Sequence, residues 1–182
     1  MDDRTPGIRL RSSIWRRLDA LARRAFPAVV TILLMLLLCM PLGLPEQSAL
    51  LPALTLTSVF FWSLFRPASM TPPMVFAIGL LLDLLGYLPL GVGVLSLLGL
   101  HGLTVQGRRV LTRHGFLFVW LTFLLIATGT SILAWALSSL LTLRLLPFAP
   151  AVFQAVLATA IYPAIVTLFA RAHTTIADPG RA

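Results

Sequence analysis

From Ala25 to Phe65 the chain carries a single charged residue, Glu46. A run of that length cannot fold into a small soluble domain without leaving a large apolar surface in water. The same pattern recurs along the 182 residues: charge gathers at one end and in short connections, with apolar stretches between. That is the pattern of a polytopic membrane protein. Only 11% of residues are charged and 58% are hydrophobic, whereas an ordinary soluble domain carries about a quarter charged residues. An ordinary soluble protein and a disordered chain are therefore excluded, and the length is short for two domains. The net charge of +8 would suit nucleic acid, but its distribution does not. All fourteen basic residues are Arg, and seven fall within the first 24 positions. No nucleic-acid partner is expected.

Residues 1–25 form a basic segment. Ser12 or Ser13 is suited to cap a helix. Ile14, Leu18, Leu21 and Ala25 then recur at helical spacing, with Arg16, Arg17, Arg23 and Arg24 largely elsewhere on the wheel and Trp15 placed as an interface anchor. Two readings stand together: an amphipathic helix on an anionic lipid surface, or a positive flank that sets topology. The apolar run that follows lacks a small-x-small cleavage site, so it is expected to be a retained span rather than a signal peptide.

The apolar segments predict spans at about 27–44, 48–64, 73–87, 90–106, 116–141 and 148–170. The third and fourth come from one stretch, Pro72 to Gln106. As a single helix it would measure about 52 Å, far more than the roughly 30 Å hydrocarbon core. Gly86, Tyr87, Leu88, Pro89, Leu90 and Gly91 punctuate its middle, which predicts a tight hairpin of two short spans. The fold expected is all-α, a polytopic membrane protein of six transmembrane helices with short third and fourth spans. Six spans put thirteen of the fourteen Arg on the cytoplasmic side and leave only Arg144 outside; a single long third span would leave nine inside and five outside. Both termini are thus expected in the cytoplasm. The chain divides into the basic segment 1–25, a six-span domain 26–170 and a cytoplasmic tail 171–182. Pro163 predicts a kink in the sixth span.

Asp83 is the only acid well within an expected span. A carboxylate at that depth is costly and needs a partner. The start of the fourth span offers one, since its free N–H groups and positive helix end favour an anion. Asp83 is therefore expected to tie the turn to the hairpin, with a proton relay or a substrate ligand as the rival roles. His101 in the fourth span is expected to hydrogen-bond between helices. It should lie far from Asp83, because the two sit near opposite ends of adjacent helices. His114 and His173 fall in cytoplasmic segments. Cys39, in an apolar run, is expected as a buried small side chain with no disulfide or metal role. Small residues predict close helix packing at Ala127, Ser131, Ala134 and Ser138, at Ala151, Ala155 and Ala158, and at Gly93, Ser96, Gly99 and Gly102.

Enzyme signatures are absent. The sequence has no G-x-x-x-x-G-K-[ST] loop, no H-E-x-x-H pair and no G-x-S-x-G elbow. No catalytic residue, metal ligand or cofactor site is expected.

The central segment, from Phe65 through Arg66 and Pro67 to the run G-L-L-L-D-L-L-G-Y-L-P-L-G ending at Gly91, resembles the rod shape-determining protein MreD family. Arg66, Pro67, Gly79, Leu80, Asp83, Leu84, Leu85, Gly86, Pro89, Leu90 and Gly91 carry the resemblance. Tyr87 and Leu88 stand where small or polar residues are common in that family. The motif covers about 30 residues, and the basic start and hydropathy pattern are similar over nearly the whole chain. The resemblance implies a non-catalytic component of the bacterial inner membrane that scaffolds lateral peptidoglycan synthesis and cell shape. It implies as partners a bitopic MreC-like protein, the MreB filament through it, and a RodA-type glycosyltransferase with a class B penicillin-binding protein in the same assembly. It marks Arg66, Pro67, Gly79, Asp83, Gly86, Pro89 and Gly91 as a structural or partner-contact motif. The rival class is the substrate-binding subunit of a vitamin-type transporter, which should enclose a pocket with several convergent polar groups.

Overall fold

The computed structural model describes residues 14–40, 47–86 and 88–177, with side chains within 25–168. The cap at Ser12 or Ser13, the basic and Trp15 side chains of the N-terminal segment, the turn at Glu46, Tyr87, the side chain of His173 and the last residues of the tail lie outside this description.

Among the described residues there are six helices and no strand. They are α1 (Ile14–Cys39), α2 (Gln47–Phe65), α3 (Pro72–Leu85), α4 (Val92–Leu111), α5 (Phe116–Thr142) and α6 (Ala149–Ala177). Phe116–Thr142 and Ala149–Leu168 are long and apolar enough to cross a membrane. Ala25–Cys39, Ala49–Phe65 and Pro72–Leu85 are shorter apolar helices.

Three helix limits differ from the sequence reading. α1 runs through the boundary expected at residue 25, with Pro27 inside it. No glycine or turn residue interrupts the chain there, so the helix continues even though Pro27 lacks the N–H for one hydrogen bond. α4 extends to Leu111, taking Arg108 and Arg109 into its last turn, where cations suit the negative helix end. α6 runs past residue 170 to Ala177 and contains Pro163.

α2 is the centre of the bundle and touches α1, α3, α4 and α6. Every residue from Thr55 to Leu64 is buried, as a helix apolar on all faces requires. Its hydroxyls are handled locally: Thr55 and Thr57 donate to the carbonyls of Leu51 and Ala53 at 2.7 and 2.8 Å. α2 and α6 approach closely at Ala53 and Ala158, both fully buried, where Thr57 Oγ1 also reaches the Ala158 carbonyl at 3.4 Å. Phe60, Phe123 and Tyr162 bind α2, α5 and α6 into one aromatic cluster, with ring centroids 4.7 to 5.8 Å apart. That spacing is favourable for offset and edge-on ring pairs.

The exterior is apolar. Leu117, Leu121 and Leu125, one turn apart on α5, are 64%, 50% and 74% exposed. Cys39 is also exposed, contrary to expectation. It follows Met35 by one turn on the same face, but it is the last residue of α1 and lies beyond the packing that buries Met35.

The small-residue faces divide. On α5, Ala127, Ser131, Ala134 and Ser138 are all buried, and so are Ala151, Ala155 and Ala158 on α6. On α4, Gly93 and Ser96 are buried, while Gly99 is exposed and Gly102 half-buried, with open space where a Cβ would stand. Steps of three residues each fall about 60° short of a full turn, so Gly93 and Gly102 lie on opposite sides of the helix. Alternating steps of four and three hold the α5 set on one face. A Cβ on Gly79 would stand 2.7 Å from the Val94 Cα. Gly79→Val should therefore destabilise the protein by about 1–3 kcal/mol through overpacking, whereas Gly99→Ala should be neutral or stabilising by up to about 1 kcal/mol. Thermal melts of the two variants in mild detergent check the contrast.

Candidate functional site

The α3–α4 hairpin is built by its turn residues. Pro72 and Pro73 open α3, where a missing N–H does no harm. Gly86 closes it, donating its N–H to the Leu82 carbonyl at 2.7 Å. A Cβ on Gly86 would fall 2.6 Å from that same oxygen. Pro89 accepts from the Val92 N–H at 3.2 Å, and Gly91 adopts φ of 98°, a left-handed conformation that glycine takes without strain.

Asp83 closes the structure from the α3 side. It is buried. Its Oδ2 accepts the Gly91 N–H at 2.8 Å and the Val94 N–H at 3.4 Å, and its Oδ1 accepts the Gly93 N–H at 2.6 Å. The first N–H groups of α4 have no partner within their own helix, and the positive end of the helix favours the carboxylate. One side chain of α3 thus replaces the cap that Gly91 lacks. Gly93, which belongs to no part of the sequence motif, is essential to this contact: a Cβ there would collide with Asp83 Oδ1. The sequence signals it as a small packing residue of α4, two residues after Gly91, but not as a partner of Asp83.

The motif residues fall in two places. Gly79, Asp83, Gly86, Pro89 and Gly91 belong to the hairpin. Arg66 and Pro67 lie in the α2–α3 connection, at the other end of α3, about 20 Å away along its fourteen residues. There the Arg66 carbonyl accepts the N–H groups of Ser69 and Met70 at 3.0 and 3.1 Å.

His101 sits eight residues, about 12 Å, beyond Gly93 on α4. It is buried, and its Nδ1 hydrogen-bonds with Ser63 Oγ at 2.8 Å, joining α4 to α2. It is therefore an interhelical link and is not brought to Asp83. A second link was not signalled by the sequence: Arg108 Nε donates to the Leu64 carbonyl at 2.8 Å, satisfying an acceptor at the end of α2.

A cavity of about 560 Å³ lies between the ends of α5 and α6 and the hairpin turn. Ser131, Ser138, Thr142 and Gln154 are its polar lining residues. A smaller one, of about 270 Å³, lies between Leu64, Leu111, His114 and Tyr162. Among the described residues no group of His, Cys, Asp and Glu is arranged to hold a metal ion.

Comparison of the chain with protein-family models, curated proteins and solved structures finds no match.

Removing the Asp83 carboxylate strands the amide groups it caps. Asp83→Ala should cost about 1–3 kcal/mol for each N–H left buried without a partner. Asp83→Asn keeps one acceptor oxygen and turns an NH₂ toward the backbone donors, so its melting temperature should also fall. Wild-type melting of both variants would remove Asp83 from the stability of the hairpin.

Proposed function

We propose that this chain is an MreD-type, six-span component of the bacterial inner membrane, with both termini in the cytoplasm. In this reading it works without catalysis, by holding partners of the elongation machinery together for lateral peptidoglycan synthesis. The observation that carries the reading is the hairpin. Five motif residues, Gly79, Asp83, Gly86, Pro89 and Gly91, each have a geometric task in a single helical hairpin, so the segment that carries the resemblance is a built element rather than a chance string. The exposed leucines of α5 support a lipid or partner-protein environment. The partners are then a bitopic MreC-like protein, the MreB filament through it, and a RodA-type glycosyltransferase with its class B penicillin-binding protein. The basic segment 1–25 would rest on anionic lipid. Arg66 and Pro67, remote from the hairpin, are the motif residues left for partner contact.

The substrate-binding subunit of a transporter is the second reading. It draws on the 560 Å³ cavity, whose size suits a small molecule.

Purification of the tagged chain in mild detergent distinguishes the two. The scaffold reading expects a co-purifying MreC-like protein and rounding of rod-shaped cells on depletion. Recovery of only an ATPase module with its coupling subunit would sink it. Topology is checked independently: cysteines placed at 109 and 144 should be labelled by a membrane-impermeant reagent from the cytoplasmic and outer sides respectively, and the chain should stay with the membrane through alkaline extraction.

A further inference from the structure

The wall of the cavity between α5, α6 and the hairpin turn carries two buried hydroxyls without partners. Ser131 and Ser138 line it, are 2% and 3% exposed, and their Oγ atoms make no hydrogen bond. A helical hydroxyl has an easy alternative, the carbonyl four residues back. Thr31, Thr55, Thr57, Thr104, Thr130, Thr142 and Thr159 all use it, at 2.6 to 2.8 Å. Ser131 and Ser138 forgo that bond: their Oγ atoms are buried and unpartnered in the wall of a space large enough to hold a ligand, which they reach by rotation about χ1. Ser58 and Ser96 are also unpartnered, but they do not line the cavity.

The wall opposite α5 is held in place. Trp135 Nε1 donates to the Leu146 carbonyl at 2.9 Å, and the Leu146 N–H reaches Ser139 Oγ at 3.4 Å, which fixes the 143–147 connection over the helix ends. The lining determines the chemistry. Its hydrogen-bonding side chains are neutral: Ser131, Ser138, Thr142, Gln154 and the already engaged Trp135. Among the described residues no ionisable side chain lines it to neutralise a charged group. The remainder is apolar, formed by Leu, Pro and Ala. Ser131 and Ser138 are two turns apart, so they offer hydrogen bonds about 10 Å apart along one wall. The volume corresponds to about one turn of a helix with its side chains, too little to seat a spanning helix of a partner.

We propose that this cavity binds an uncharged amphiphile, an apolar body carrying hydroxyl, ester or amide groups, with Ser131 and Ser138 as its hydrogen-bonding partners. Its source is either the neutral lipid of the membrane or a neutral molecule from water. The inference rests on the membrane-spanning reading of α5 and α6, whose own failure would appear in the alkaline extraction and not in the binding experiment.

The test uses the full chain in delipidated nanodiscs and a monoacylglycerol bearing a diazirine in its acyl chain. Saturable photolabelling within 131–154 is expected, and unlabelled monoacylglycerol should displace it. Ser131→Ala with Ser138→Ala should weaken the binding by about tenfold for each hydroxyl. The melting temperature should not fall and is expected to rise slightly, because neither hydroxyl has a partner to lose and each is buried unsatisfied. Gln154→Leu provides a second variant with a separate loss, and Gly99→Ala should bind normally. Displacement by a chain-free neutral polyol as effective as that by monoacylglycerol would show that no apolar body is needed and overturn the amphiphile. Equal binding by the double serine variant, equally tight binding of an anionic lysophospholipid, or labelling spread evenly over the exposed leucines of α5 would overturn the site.

Discussion

The carboxylate of Asp83 on the exposed amides of α4 is the contact on which the arrangement of the central hairpin depends. Helix ends are awkward inside an apolar bundle, since their terminal N–H groups have no partner in their own helix. Here the acceptor comes from the neighbouring helix, so the interaction that caps α4 also fixes its position against α3. Gly79 and Gly93 make this possible by their size alone: a Cβ at either would push the helices apart or displace the carboxylate. The turn residues then need only reverse the chain, which Gly86, Pro89 and Gly91 do with three short hydrogen bonds.

Much of the bundle follows the same requirement, that polar groups be satisfied inside; Ser58, Ser96, Ser131 and Ser138 are the described serines that do not. Threonines bond back to their own helices. Ser63 and His101 satisfy each other across α2 and α4. Arg108 takes up a carbonyl at the end of α2, and Trp120 one of α6, at 2.8 and 3.1 Å. Among the described residues many hydroxyls thus lie inside while leucines face outward, and side chains tie helices together at several levels along the bundle.

Much of this is legible in the sequence because it is punctuated locally. Proline and glycine mark the hairpin, and a lone acid beside a turn points to a helix end. The α5 small-residue face is legible for the same reason, since alternating steps of four and three keep it on one side. The α4 set misleads, because equal steps of three spiral round the helix. The last turn of α4 also escapes the sequence: Arg108 and Arg109 lie past the expected end of the span, and the Leu64 carbonyl that Arg108 meets is 44 residues away in the chain. Ser131 and Ser138 read as packing residues. That they lack partners is a property of the cavity, to which the hairpin turn, α5 and α6 all contribute. Cys39 follows the periodicity of a buried face yet lies past the point where packing ends.

The complete enclosure of α2 bears on how such a chain is made. In the membrane-spanning reading, α2 leaves the ribosome before α4 and α6, the helices that will cover it. For that interval its hydroxyls have no neighbours to turn to. Thr55 and Thr57 are safe throughout, because each bonds to a carbonyl four residues earlier in the same helix. Ser63 takes its final partner, His101, only when the chain has grown by 38 more residues. The nascent segment therefore enters lipid with part of its polarity already internalised, and the arrival of α4 adds a partner for Ser63.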